Sequence, residues 1–385
     1  MLMRIAVIYD CLFPASTGGG ERQYLGFATH LHRRGHEVEY LTAQQDAQVM
    51  SGTPFATSAV TGPLRLYDRS GVRRSSAALR FAFGVFRALR RRRRSLDAVL
   101  VSGLPVLNVF AARVALLGSG VQITIDYLEV WRRRQWLEYA GPITGTIAWL
   151  LQRIAVAWTP VASCHSDLSA RRLRAEGLRG PILVSKGLID QQSVPPFRAQ
   201  SDEPPFVLYV GRHIPDKDVQ VIPAAVQVAR ASIPDLRLII LGSGPSTDAI
   251  RSSVDDVGGW MWTSMPGFVD QAELDRRMAG AACLVNPSRR EGYGLVVVEA
   301  NAHGTPVVLV DHEGNAAVEL VDEGVNGRIA ASSAPDVLGA SIATAVLGGP
   351  ALRASARSWF MHAVETRTIA ASVEAIEAQW SEVRE

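Results

Sequence analysis

The stretch spanning residues 281–302 narrows the folds open to this chain more than any other. Residues 281–285 form an unbroken apolar run, the mark of a buried strand, and Asn286-Pro287-Ser288 stops it. A helical pattern then runs from about Leu295 to Ala302, closed by Gly304 with Pro306 behind it. Strand, loop and helix in that order put the loop at the carboxyl edge of a sheet, where open α/β folds bind ligands. Gly292 and Gly294 have no side chains to block a ligand, and the amides of Gly292, Tyr293, Gly294 and Leu295 begin the helix, which is an anion site in waiting. Two carboxylates bracket it. Glu299 sits one turn past Leu295 and leans back toward the helix start, while Glu291 approaches from the loop. Neither suits a phosphate, because like charges repel, but both accept from hydroxyls. The pattern asks for a phosphate flanked by polyols, which describes a sugar nucleotide. The plainer alternative is a surface loop with two solvated glutamates.

The remainder of the chain repeats the strand–helix alternation. Residues 4–9 read as a buried strand, and a loop through Pro14 to Gly18-Gly19-Gly20 leads into a helix from Glu21 to Arg34 and a second strand at residues 37–41. Gly18-Gly19-Gly20 lacks the dinucleotide G-x-G-x-x-G spacing, yet glycines such as Gly19 and Gly20 at a helix start let backbone approach a ligand. Further strands are read at residues 98–101, 122–125, 161–163, 182–184, 206–210, 238–241 and 307–310. Residues 191–205 hold Pro195, Pro196, Pro204 and Pro205 with little apolar content, which marks an interdomain linker.

With 385 residues, two domains are expected, and 48% hydrophobic against 20% charged residues is globular composition. The overall charge of +3 hides a division. Residues 1–190 carry 25 basic and 13 acidic side chains, net +12, and residues 191–385 carry 15 and 24, net −9. Such asymmetry points the first half toward an anionic partner, or the two halves toward each other. Residues 79–94 form a basic, aromatic-bearing helix with Phe81, Phe83, Phe86 and the run Arg90 to Arg94, able to lie on an anionic membrane surface or to pack with a solvated basic end. Nucleic acid is not expected, since no stacking platform accompanies the arginines. Cys11, Cys164 and Cys283 lie far apart and form no metal spacing, as in a reducing compartment. The opening residues are too short for a signal peptide and no apolar run reaches membrane-spanning length, so a cytoplasmic place, either free or peripheral at the inner face of the membrane, is expected.

Glu291 and Glu299, with seven residues between them, resemble the E-x7-E signature of retaining glycosyltransferases of family 4. The resemblance covers most of the chain. Gly211-Arg212-His213-Ile214-Pro215-Asp216-Lys217 is similar to the family's G-R-x4-K motif, whose arginine and lysine hold the donor diphosphate, and two cations past a strand end suit a charge of about −2. Gly242-Ser243-Gly244-Pro245 resembles the G-x-G-P turn, and Pro266-Gly267-Phe268-Val269 the loop bordering the nucleobase, so Gly267 and Phe268 join the donor site. Lys186-Gly187-Leu188-Ile189-Asp190 resembles an N-G-hydrophobic-D turn with lysine for asparagine, and Asn315-Ala316-Ala317-Val318-Glu319 and Gly324-Val325-Asn326-Gly327 are also family-like. Where relatives place a histidine near the reacting sugar, this chain has Leu128, leaving Asp126 and Glu129 to orient or deprotonate an acceptor hydroxyl, or to serve as structural caps. Trp131, Trp136, Tyr139 and Trp149 read as an acceptor-facing wall or as packing, and His165 and His303 as surface or packing residues.

The resemblance implies the α/β GT-B fold, two Rossmann-like domains with parallel sheets facing a central cleft. Residues 1–190 would bind the acceptor and 206–367 the sugar nucleotide, with 368–385 a helix crossing back to the first domain. It implies a retaining glycosyltransferase that moves a sugar, UDP-linked in the commoner case, to a hydroxyl of a natural product, lipid carrier or envelope saccharide. No cofactor is expected beyond that donor. Asp216-Lys217-Asp218 is formally a D-x-D, but Lys217 supplies a cation itself, so no metal is expected. A nucleotide-sugar epimerase or sugar phosphorylase of the same fold is the alternative enzyme. A basic peripheral protein acting through residues 79–94 is the non-catalytic one.

Overall fold

A computed structural model describes residues 2–16, 18–68, 72–189 and 194–382 of the protein. The chain divides into two compact units, Met1–Asp190 together with Arg367–Glu385, and Gln191–Thr366. Asp190 and residues 191–193 of the proline-rich stretch lie outside the described residues.

The first unit is built on a seven-stranded parallel sheet of β1 (Arg4–Ile8), β2 (Glu37–Ala43), β3 (Ala56–Thr61), β4 (Ala98–Ser102), β5 (Gln122–Tyr127), β6 (Val161–Cys164) and β7 (Ile182–Val184). Its spatial order is β3-β2-β1-β4-β5-β6-β7. Helices α1 (Gly19–Arg33), α2 (Ala47–Ser51), α3 (Ser75–Arg92), α4 (Leu107–Ala115), α5 (Arg133–Ala140), α6 (Pro142–Trp158) and α7 (Asp167–Ala175) make the crossovers. The central strands are apolar on both faces because helices cover both. Ile8, Val99, Val101, Ile123 and Ile125 pack under Phe81 and Val85 of α3, Val109 of α4 and Val156 of α6. Thr124 points the other way, toward the final helix of the chain, and accepts a 2.9 Å hydrogen bond from Trp380 Nε1.

The second unit repeats the plan with β8 (Phe206–Val210), β9 (Arg237–Leu241), β10 (Thr263–Gly267), β11 (Cys283–Asn286), β13 (Val307–Val310) and β15 (Gly327–Ala330) in the order β10-β9-β8-β11-β13-β15. The short strands β12 (Arg290–Glu291) and β14 (Gly314–Asn315) pair beside this sheet, Glu291 opposite Asn315. Its helices are α8 (Ile222–Ala229), α9 (Thr247–Asp256), α10 (Gln271–Gly280), α11 (Leu295–Ala302), α12 (Pro335–Leu347) and α13 (Gly349–Thr366). The core packs Val207, Ile240 and Val285 against Ile222, Val226, Leu338 and Ile342. The described part of the proline-rich stretch is bonded to this unit: Asp202 N donates to the Gly280 carbonyl, and the Arg353 guanidinium to that of Arg198.

The last helix, α14 (Ile369–Glu382), belongs to the first unit and packs on α1. Arg34 reaches Glu374 and Glu377, and His36 Nε2 lies 3.0 Å from Glu377. Ile189 N donates to the Arg367 carbonyl, and the Ile189 carbonyl accepts in turn from Ile369 N. Gly187 permits that approach, since a β-carbon there would sit 2.4 Å from the Thr368 carbonyl oxygen. Among the described residues no single helix is long and apolar enough to cross a membrane.

Candidate active site

In each sheet the strand order reverses beside the first strand, between β1 and β4 and between β8 and β11. Such a reversal splits the loops at the carboxyl ends to opposite faces and opens a crevice there. In the second unit the crevice is flanked by the two motifs that carry most charge. Gly211 to Lys217 leaves the end of β8, and residues 287–294 leave the end of β11.

The structure brings these loops into contact. Lys217 Nζ rests on the Glu291 carboxylate, with 19% and 18% of their side chains exposed. Next to them Arg290 pairs with Asp216, and Arg289 N donates to the Asp216 carbonyl at 2.9 Å. Asp218 takes the left-handed conformation (φ 50°), open to aspartate through local bonding, and its carboxylate accepts from Gln220 at 2.7 Å and lies 3.7 Å from Arg289. Both aspartates of the D-x-D thus face arginines, and among the described residues no three His, Cys, Asp or Glu side chains cluster as metal ligands would.

Arg212 is exposed at the end of β8, and its carbonyl accepts a 3.1 Å bond from the buried Tyr209 hydroxyl. That phenol is raised above its usual range by burial and then by the neighbouring Glu291 carboxylate, with Arg212 acting against them. It therefore lies electrostatically between Arg212 and Glu291. The ends of β8, β9 and β10 are laced by backbone bonds, His213 N to Ser243 O (3.0 Å) and Gly242 N to Gly267 O (2.8 Å). Gly267 (φ 83°) and the 72% exposed Phe268 stand two strands from Arg212, roughly 10 Å at ordinary strand spacing.

The start of α11 is fixed by steric fit. Gly294 is its N-cap with φ 102°, and a β-carbon there would lie 2.6 Å from Ala317 Cβ. Ala317 is held in turn by Asn315, whose side chain accepts from Ala317 N at 3.1 Å and donates to the Val310 carbonyl at 3.0 Å. Tyr293 is buried at this start, Leu295 and Glu299 are half-buried, and Glu299 lies one turn into the helix. The sequence reading missed two supports of this site. Arg353 of α13 is buried and donates to the Ala279 carbonyl at 2.7 Å, holding the entry to β11, with its guanidinium lowered to about 10 by burial. Arg290 was passed over because its partner Asp216 lies 74 residues away.

In the first unit the crevice beside β1 brings the glycine loop to the Leu128 loop. A β-carbon on Gly20 would lie 2.5 Å from the Tyr9 hydroxyl and 3.2 Å from Leu128 Cδ1, while Gly19 is exposed in the first turn of α1. Asp126 is not presented to a ligand. It is fully buried, and its oxygens accept from Ser163 (2.5 Å), Tyr24 (2.8 Å), Gln23 (3.1 Å) and His165 Nε2 (2.9 Å). His165 is accordingly a buried hydrogen-bonding partner of Asp126 rather than surface or passive packing, and its Nδ1 lies 3.0 Å from the Ser185 carbonyl. Burial pulls its imidazolium down, but Asp126 and the Ser185 carbonyl outweigh burial and hold it above its ordinary value. The parallel pairing of β5 with β6 sets Asp126 opposite Ser163, which brings the following His165 to the carboxylate. Glu129 is half-buried and accepts from Trp131 Nε1 at 2.6 Å. Trp131, Trp136 and Tyr139 form one cluster with centroids 4.6–6.4 Å apart, whereas Trp149 stands among arginines, 5.8 Å from Arg133 and 5.3 Å from Arg153.

Comparison with known proteins accounts for this arrangement. Residues 190–357 match the family described as Glycosyl transferases group 1. The D-inositol 3-phosphate glycosyltransferase of Segniliparus rotundus is 33% identical over 165 residues, 41% of this chain and 35% of that protein. The phosphatidyl-myo-inositol mannosyltransferase of Propionibacterium freudenreichii is 25% identical over 336 residues, 85% of this chain and 82% of that protein. For the first five curated relatives the matched stretch is 28–54% of their own length. The sucrose-phosphate synthase structure from Thermosynechococcus elongatus superposes with a TM-score of 0.79 at 18% identity, over 99% of this chain and all of that one. The two parallel-sheet units are therefore the GT-B fold, and the second of them is similar, over residues 190–357, to the group 1 glycosyl transferases.

Proposed function

We propose that the protein is a retaining, metal-independent glycosyltransferase that moves a sugar from a nucleotide diphosphate, UDP first among the candidates, to an acceptor hydroxyl. The observation that supports this most is the meeting of Lys217 with Glu291 directly before the start of α11, beside the switch point of the second sheet. In this reading the diphosphate lies against Lys217, Arg212 and the amides of residues 292–295, Glu299 takes the ribose hydroxyls and Glu291 those of the sugar. Gly267 and Phe268 border the base.

The bond from the anomeric carbon to the β-phosphate oxygen breaks, and its electron pair stays on the departing diphosphate. Cations and amides already in place there stabilise that charge, a single such donor typically contributing about 3 kcal/mol to the barrier. The acceptor oxygen bonds to the anomeric carbon on the same face, and its proton passes to the departing phosphate oxygen, so configuration is kept. Asp126 has no part in this step, since its oxygens are taken inside the first unit. Glu129 is the carboxylate retained to orient the acceptor. The acceptor is a natural product, a lipid-linked sugar or an envelope saccharide, and the protein is placed in the cytoplasm.

The test is sugar transfer from a panel of nucleotide sugars, with the anomer of the product read by NMR. Transfer with retention by the wild-type protein, reduced by orders of magnitude in Arg212→Ala and Glu291→Ala, is expected. Turnover of a sugar nucleotide without acceptor, giving an epimer, would overturn it.

A further inference from the structure

Helix α6 exposes an unusual set of side chains. Ile143, Ile147, Leu150, Ile154 and Trp158 are 76%, 54%, 47%, 51% and 49% exposed. At 3.6 residues per turn they fall within about 80° of arc and run for roughly 22 Å. The buried residues Gly145, Gln152, Ala155 and Val156 occupy the opposite side, so the helix already has its core-facing surface and the apolar stripe is an addition to it. Exposed apolar residues scattered singly are ordinary, but a continuous stripe marks an interaction surface.

The neighbouring helices say what covers it. α6 packs beside α4, with Phe110 and Trp158 rings 5.9 Å apart, and α4 packs beside α3. All three lie on one face of the first sheet. α4 and the residue after its cap add Val114 (48% exposed) and Leu117 (72%), and α3 adds Leu79 and Phe83. Arg80, Arg87 and Arg91 line a groove of about 620 Å³ between α3 and residues 58–64 next to Phe83. Across α3, α4 and α6 the sequence has seven arginines and no aspartate or glutamate. Two of the seven meet carboxylates from neighbouring elements, Arg92 at Glu39 and Arg153 at Glu176, and the net positive face that remains, mixing arginines with outward isoleucines and a tryptophan, disfavours a second copy of itself. It is complementary to a surface that is anionic above and apolar below.

We propose that the α3–α4–α6 face seats the protein on an anionic lipid bilayer, with the α6 stripe entering the headgroup–acyl boundary and the α3 arginines holding lipid phosphates. Trp158, at the end of the stripe, then lies at interfacial depth, where tryptophan is favoured. This seat does not depend on the reaction proposed above.

The test is co-sedimentation of the full chain with vesicles of equal parts phosphatidylglycerol and phosphatidylcholine, or of phosphatidylcholine alone, without sugar nucleotide. Uptake by the anionic vesicles only is expected. Arg80→Glu/Arg87→Glu/Arg91→Glu should lower partitioning by about a hundredfold or more. Ile147→Ser/Ile154→Ser should keep weak low-salt uptake and lose what survives high salt. Brominated lipid should quench a fluorescence component that Trp158→Phe removes. Unchanged melting temperatures and UDP binding show that the variants fold. Uptake that is equal in wild type and serine variant, or absent from both vesicles, overturns the proposal, as does self-association abolished by the serine changes.

Discussion

Replacing Lys217 with alanine separates the two tasks assigned to the loop around Glu291. In the unliganded protein the ammonium is matched by one carboxylate, and about four-fifths of each side chain is covered. A bound diphosphate offers about two negative charges, so Lys217 gains roughly one further charge partner when the donor enters. One such pair about 4 Å apart contributes about 4 kcal/mol at an effective dielectric of about 20. Exposure of a fifth of the side chain and physiological salt bring this nearer 2–3 kcal/mol. Lys217→Ala should therefore weaken UDP binding by about 30- to 150-fold. Turnover should fall by about 10²–10³, because charge on the diphosphate grows as the glycosidic bond breaks. Glu291→Gln should behave in the opposite sense toward UDP. It keeps the shape, frees the ammonium from its internal partner, and leaves UDP affinity equal or higher while transfer collapses. Calorimetric titration with UDP, followed by transfer rates on the same preparations, separates these outcomes. UDP affinity unchanged in Lys217→Ala, or lost equally in both variants, would refute the reasoning.

Three further outcomes are expected. Gly294→Ala combines a left-handed backbone, costing about 1–2 kcal/mol, with overpacking against Ala317 of about 1–3 kcal/mol, so denaturant unfolding of the second unit should show about 2–5 kcal/mol lost and UDP binding impaired. Ala317→Gly in that background should restore part of both, and no restoration would mean that the glycine is needed for another reason. The His165 imidazolium is held above its ordinary value, so its contribution to stability is fully present below about pH 6.5 and is lost as pH rises through the folded value. A melting-temperature profile against pH should show that decline, and His165→Leu should remove it while costing about 3–5 kcal/mol through the stranded Asp126. Transfer rates should be the same with and without a chelator, and loss of activity restored by a divalent ion would defeat the metal-free reading.

The donor half of the site was legible because its signals are local. A buried strand ended by Asn286-Pro287-Ser288 and reopened as a helix after Gly294 forces a loop at a sheet edge, and α11 begins at Leu295 where the pattern put it. The charged residues of that loop could be named but not paired. Lys217 and Glu291 are 74 residues apart, and only the parallel placing of β8 beside β11 makes them neighbours. The first unit was read less well. β3 was missed because it is an edge strand of Ala, Thr, Ser and Val with no fully buried residue. Asp126 was offered to an acceptor because a carboxylate at a strand end looks the same whether it faces a ligand or a buried histidine. His165, 39 residues further on, is the partner that decides. The outward stripe of α6 went unread because apolar residues at helical spacing signal a core-facing side, and this helix has apolar residues on both sides.

The attachment of α14 has a consequence for how the molecule is made. Trp380 is among the largest fully buried side chains of the first unit, and Glu377 closes over His36. The first unit is therefore completed by a helix that is translated only after the whole of the second unit. Until about residue 380 has cleared the ribosome, the face of the first sheet that α1 covers lacks the rest of its cover, and the nascent first unit waits incomplete through synthesis of the second.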